Sequence, residues 1–228
     1  MNFQLPLGLS IRDDATFANF FPGDNERIVN YLRNLKKQAS ESFVYLYGPF
    51  GVGKTHLLQA CCHEIGDAGF SIVYLPMGDN VLTPDVLENL EDISLVCLDD
   101  VDSVIGDAAW EEALFHFYNK AKDVGTQLLV SASVTPKQLQ CGLPDLQSRL
   151  TSGLAFPLVG LTDVQKLQAL QMRAERRGIE LPSEVCAYLM KRYPRDMATL
   201  FDVMDMLDRA SLSAKRKLTV PFVKTVLG

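Results

Sequence analysis

Gly48-Pro49-Phe50-Gly51-Val52-Gly53-Lys54-Thr55 fits GxxxxGK[ST] at every fixed position. An apolar run, residues 43–47, precedes it, and an amphipathic stretch to about residue 66 follows. Strand, glycine-rich turn and helix in that order form a phosphate cradle. Glycines let backbone amides converge on phosphate oxygens without side-chain clash. The helix N-terminus adds its positive end. Lys54 supplies a cation to the β- and γ-phosphates, and the Thr55 hydroxyl is a ligand for Mg²⁺.

Working outward, further short apolar runs at residues 72–75, 95–98, 127–132 and 154–157 alternate with helical patterns, the clearest over 108–121. Nearly continuous apolar strands alternating with helices predict an α/β unit: a five-stranded parallel sheet flanked by helices on both faces. Ile28, Tyr31, Leu32 and Leu35 recur at helical spacing and predict a helix over residues 25–38. The run at 95–98 ends in Asp99 and Asp100. Asp99 stands where a phosphate-loop protein places the acid that holds Mg²⁺, and Asp100 is placed to orient the attacking water. A turn or helix cap is the alternative use of such a pair.

Beyond about residue 160 no strand signal remains. Thr162-Asp163 and Pro182-Ser183 start helices, another runs over 195–210, and Thr219 with Pro221 caps a last short one. The expected organisation is an arm (residues 1–12), a nucleotide-binding α/β domain (13–160) and a small α-helical lid domain (161–228).

Composition narrows the class. Hydrophobic residues make up 47% and charged residues 22% of the 228, an ordinary globular balance. The formal net charge of −6 argues against strong direct DNA binding by counterion release. No apolar run reaches the roughly 20 residues that span a bilayer, and the start lacks a signal-peptide pattern, so a cytoplasmic protein with no membrane partner is expected. The five cysteines show no CxxC spacing, and Cys61, Cys62 and His63 are adjacent on a helix, where neighbours point apart. Buried, reduced thiols are expected there and not a zinc site.

Together these residues resemble the AAA+ P-loop ATPases, and more narrowly the DnaA-related initiator branch, over nearly the whole chain. Thr16-Phe17 to Phe20-Phe21-Pro22-Gly23 resembles the segment that packs on the adenine base. Leu128 through Ser131 and Ser133 to Pro136 resembles the sensor-1 strand and turn. Leu146-Gln147-Ser148-Arg149-Leu150 resembles the arginine-finger segment, and Tyr193-Pro194-Arg195-Asp196 with Leu200 the sensor-2 helix of the lid. Taken without the family, Phe17, Phe20 and Phe21 suit a core, Ser131 and Ser133 a strand end, Arg149 an exposed surface, and Arg195 an ion pair within its own bundle.

The resemblance implies a site for ADP or ATP with Mg²⁺, formed by Phe20, Phe21, Pro22, Pro49, Phe50, Gly51, Val52, Gly53, Lys54, Thr55, His56 and Arg195. It makes Thr55 and Asp99 the metal-side residues and assigns catalytic roles to Asp99, Asp100, Ser131, Ser133 and Arg149. In this family the finger acts across a subunit interface, so Arg149 serves a partner's nucleotide and self-association through that interface is open. Where most members carry glutamate after the first acid, this chain has Asp100, which implies weak or no intrinsic ATPase activity.

The arm Gln4-Leu5-Pro6-Leu7-Gly8-Leu9 is similar to the peptide that enters the hydrophobic pocket of the DNA polymerase III sliding clamp. Gln4 is the hydrogen-bonding member, and Leu5, Leu7 and Leu9 are the apolar ones. An arm, core and lid without the DNA-binding domain of DnaA imply a negative regulator of replication initiation, one that stimulates hydrolysis of DnaA-bound ATP. A DnaC-like helicase loader and a stand-alone ATPase are the alternatives.

Overall fold

The computed structural model describes residues 11–35, 42–90 and 92–228. The arm residues Gln4 to Leu9 lie outside them. The chain divides into two compact units, Met1–Val159 and Gly160–Gly228.

The first unit is built on five parallel strands: β1 (Phe43–Tyr47), β2 (Ile72–Pro76), β3 (Leu95–Asp99), β4 (Gln127–Ala132) and β5 (Leu154–Pro157). Their spatial order is β2-β3-β4-β1-β5. β1 is flanked by β4 and β5, with Phe43 opposite Leu128 and Val44 opposite Leu154. Alternate side chains leave a strand on opposite faces, and the core divides accordingly. Val44, Leu46, Cys97 and Leu129 pack with residues of α1 (Glu26–Arg33) and α2 (Lys54–Asp67). Phe43, Tyr45, Val96, Leu98 and Val130 pack with α3 (Ala108–Val124) and α4 (Pro144–Thr151). Each large apolar side chain sealed this way contributes about 1.5–3 kcal/mol.

One element of this unit departs from expectation. The helix expected over 25–38 ends at Arg33, with Asn34 as its C-cap, and residues 36–38 lie outside the described ones. The segment around Arg149 forms α4: Pro144 presets its first turn, and Leu146 and Leu150 are buried one turn apart.

The second unit contains α5 (Asp163–Arg176), α6 (Ser183–Arg192), α7 (Met197–Ala214) and α8 (Val220–Leu227). Thr162 and Gln165 form a capping box on α5, and Thr219 caps α8. The helix expected from residue 195 begins at Met197, because the Asp196 side chain caps it by accepting the Thr199 N–H. Leu170, Leu189, Leu200, Met204, Leu207 and Val223 fill the core of the bundle.

Candidate functional site

The cradle is fixed by its strand neighbours. The Gly48 N–H donates to the Ala132 carbonyl at 3.2 Å, and the Leu158 N–H donates to the Tyr47 carbonyl at 2.7 Å. A Cβ on Gly48 would lie 2.5 Å from the Leu158 carbonyl oxygen, so no larger residue fits. Gly53 adopts φ +101°, and a Cβ there would meet the Phe20 ring at 2.6 Å. Gly53 is the N-cap of α2 and offers no side-chain acceptor. The start of α2, at Lys54 and Thr55, therefore meets no capping side chain, an arrangement suited to an anion. Lys54 is 6% exposed. Its ammonium donates to the Gly48 carbonyl at 3.1 Å and stands 3.5 Å from Asp100. Pro49 and Gly51 are exposed, Val52 is half-buried, Phe50 projects outward at the tip, and Thr55 is exposed in the first turn of α2.

At the neighbouring strand end Asp99 is buried. It accepts from the Tyr74 hydroxyl at 2.7 Å and from the Ser131 hydroxyl at 2.5 Å. Ser131 in turn accepts the Asp100 N–H at 2.8 Å, so one hydroxyl bridges both acids. Asp100 sits at φ +54°, a left-handed conformation that aspartate tolerates better than most residues. Ser133 turns away from this pair: its hydroxyl and N–H both donate to Asp102. The other Asp102 carboxylate oxygen is buried without a donor among the described residues. Burial pushes the Asp100 carboxyl up, the Asp99 charge adds to this, and Lys54 opposes it. Burial, then Asp99, likewise pushes the Tyr74 phenol up, so it stays a donor.

These donors fit Mg²⁺ held mainly through water and phosphate. Each Asp99 oxygen keeps a lone pair beyond its one hydrogen bond, and Thr55 adds a hydroxyl. Among the described residues there is no group of three or more His, Cys, Asp or Glu side chains that could hold a metal ion. Mg²⁺ needs none, since it commonly takes one or two protein ligands with substrate phosphates.

The aromatic segment lies against the cradle. Thr16 caps a short 3₁₀ turn, Phe17–Asn19. Phe17 is core, with the Arg33 guanidinium 5.5 Å from its ring centroid. His56 Nε2 lies 2.8 Å from the Thr16 carbonyl, and its ring is 5.4 Å from that of Phe20. His56 thus braces the segment while Phe20 forms the lip over Gly53; Phe21 and Pro22 are half-buried nearby. The buried Asn25 side chain clasps the N–H and carbonyl of Val159, both at 2.9 Å.

The two arginines differ. Arg149 is half-buried on α4 and makes no side-chain ion pair among the described residues. Arg195, in the helical unit, donates to Asp163 at 2.5 Å and to the Met190 carbonyl at 3.3 Å, the pairing within its own bundle. Both partners are about half exposed, so the pair holds by no more than about 1 kcal/mol and is easily exchanged.

Residues 11–157 match the family model described as the bacterial DnaA ATPase domain, and residues 163–227 match one described as the Hda lid domain. The chain belongs to the DnaA-related AAA+ family. The fold is shared with domain III of Thermotoga maritima DnaA, at TM-score 0.80 and 22% identity, covering 96% of this chain and 97% of that one. AMPPCP-bound DnaA from Aquifex aeolicus matches at TM-score 0.72 and 22% identity, over 86% of this chain and 66% of that one. The RuvB branch-migration motor of Thermotoga maritima matches at TM-score 0.67 and 18% identity, over 93% and 72%.

The DnaA-related site carries residues that motif reading passes over. Tyr74 is one: an apolar strand hides its role until β2 lies beside β3. Asp102 is another, tied to Ser133 across 31 residues. A titration follows from the acidic pair. The raised Asp100 pKa means that its ionised form costs folding stability. That cost is absent below the ordinary carboxylate range and grows as pH rises through the raised value. Asp100→Asn, which suits φ > 0, is expected to raise Tm by about 1–2 °C at neutral pH, the gain being small because half-exposed charges are screened. The gain should vanish below about pH 4. Melting curves across pH test this; a variant less stable at pH 7 would contradict it.

Proposed function

We propose that this chain is a nucleotide-gated regulator of replication initiation that acts on the ATP site of DnaA. The single observation that supports it is the disposition of Arg149: α4 is anchored by buried leucines on one side, and its arginine makes no ion pair among the described residues. A guanidinium so held is suited to a partner's transferring phosphoryl group, where charge develops.

In this reading the cradle binds ADP or ATP with Mg²⁺. The α2 N-terminus and Lys54 hold the phosphates, Phe20, Phe21 and Pro22 line the base side, and Thr55 and Asp99 face the metal. When bound, the metal neutralises charge on the phosphates. The AMPPCP-bound Aquifex relative supports the choice of an adenine nucleotide. Ser131, bonded to both acids, would report nucleotide state to Asp100, and Ser133 would act on the same turn through Asp102. Arg195 would leave Asp163 for the phosphates as the lid responds. The tie of Lys54 to Asp100 and the short side chain of Asp100 support slow intrinsic hydrolysis.

Residues Gln4, Leu5, Leu7 and Leu9 would recruit the protein to the DNA polymerase III sliding clamp on newly made DNA, and the site of action would be cytoplasmic. No helix among the described residues is long and apolar enough to cross a membrane. Gln4→Ala is expected to lower retention on clamp-loaded DNA by at least about tenfold, since an interface hot spot is worth about 2 kcal/mol. Unchanged retention would refute the arm's role. The deciding assay is phosphate release from DnaA–ATP with clamp-loaded DNA: Arg149→Ala acting as well as the unaltered protein ends this reading. Fast hydrolysis by the chain alone, lost in Lys54→Ala, would favour a stand-alone ATPase.

A further inference from the structure

Glu111 lies on α3, away from the cradle, and is 2% exposed. A buried carboxylate is tolerated only when its oxygens are satisfied. Here one oxygen accepts the Gly106 N–H at 2.8 Å and the Gly142 N–H at 3.0 Å, and the other accepts the Leu143 N–H at 2.7 Å. Burial acts to raise this carboxyl's pKa, but the three N–H bonds together outweigh it and hold the group below the usual value. Glu111 is therefore ionised at neutral pH.

Its donors belong to two separate loops. Gly106 closes the loop that runs from Asp99 and Asp100 through Asp102. Gly142 and Leu143 lead into α4, and Leu143, the N-cap, has no side-chain cap of its own. A helix N-terminus needs an acceptor and carries positive partial charge. Glu111 supplies an acceptor and the opposing negative charge from a different helix. A Cβ on Gly142 would lie 3.4 Å from the carboxylate, so the loop is drawn tightly against it.

We propose that Glu111 is the positioning residue for Arg149: it fixes the start of α4 and ties that helix to the loop of the nucleotide-site acids, so that movement at the acids moves the arginine. This rests on the reading of Arg149 as a group acting in trans. It names the route by which a nucleotide in one cradle would set the finger offered to a partner.

The test uses Glu111→Gln, which keeps the side-chain volume but turns an amide NH₂ toward backbone N–H donors; Glu111→Ala is a second variant, used if it folds. Two measurements are made on the full chain, with ATP or ADP as the probe: amide hydrogen exchange over residues 142–151, and maximal stimulated phosphate release from DnaA–ATP as a function of this protein's concentration. Exchange in α4 is expected to accelerate about tenfold. The maximal stimulated rate should fall about tenfold, because a misplacement near 1 Å suffices for such losses. The half-maximal concentration and the affinity for nucleotide should stay unchanged. On an Arg149→Ala background Glu111→Gln should cause no further loss, whereas a merely structural role would subtract again.

Unchanged exchange across α4, or an unchanged maximal rate where Arg149→Ala is inactive, overturns the proposal. Full stimulation by Arg149→Ala instead sinks the trans-acting reading. The coupling is then judged by exchange alone: nucleotide-dependent protection of α4 lost in Glu111→Gln upholds it, and protection that persists overturns it.

Discussion

Arg149→Ala is expected to cut stimulated hydrolysis of DnaA-bound ATP by roughly 10²- to 10³-fold, a conservative figure beside the 10³- to 10⁵-fold an arginine finger supplies. Charge sets the size of the loss: guanidinium neutralises the equatorial phosphoryl oxygens, and water that replaces it must reorganise as charge develops. Arg149→Lys keeps the charge but loses the planar fork, so it should recover only a small part of the activity. Neither change should unfold the protein. Leu146 and Leu150 anchor α4, and Arg149 itself is half-buried without an ion pair among the described residues. The stability change should therefore stay near 0.5 kcal/mol, as for surface substitutions. Phosphate release under single turnover, with Tm measured beside it, checks both. An Arg149→Lys protein as active as the parent would show that the side chain is not read bidentately.

How legible such a site is depends on how local its signals are. β1 and β4 were legible to the residue because each is an unbroken apolar run bounded by turn-forming or polar positions. The strand–turn–helix order at Gly48–Thr55 was legible because its glycines, lysine and threonine are contiguous in the chain. The start of α7 was misread by two residues because Asp196 reads equally well as a first-turn acid and as the N-cap it is. α4 is short, and only its Leu146–Leu150 spacing carries a helical signal. The supports of Asp99 were illegible. Tyr74 stands 25 residues away in sequence, Ser131 stands 32 away, and only the strand order brings all three side chains together. Glu111 carries no signal in the sequence, because its three partners are backbone groups, which have no residue-type signature.

Lys54→Ala is expected to weaken binding of ATP or ADP by about 100-fold, two charge-assisted hydrogen bonds at about 1.5 kcal/mol each. The lysine is already in place: buried, donating to the Gly48 carbonyl, and 3.5 Å from Asp100. A phosphate therefore meets an ordered cation and not a mobile one, and less side-chain entropy is lost on binding. The effect is read by ligand-induced thermal shift. At a nucleotide concentration 100 times its Kd, the unaltered protein gains about 2.7 kcal/mol, which raises Tm by roughly 5–10 °C for a unit of this size. At the same concentration a 100-fold weaker variant gains only about 0.4 kcal/mol, a shift near 1 °C. Without ligand, removal of the cation leaves the Asp99 and Asp100 carboxylates facing each other uncompensated. The raised Asp100 pKa should then climb further, since Lys54 is the group that lowers it. That penalty is modest because Asp100 can take up a proton and is 47% exposed. The variant should therefore fold with a Tm only a few degrees lower, so that lost binding is separated from lost structure. Equal nucleotide-induced shifts in the two proteins would mean that the amides of Gly51–Thr55 hold the phosphates unaided, and Lys54 would then serve the acidic pair alone.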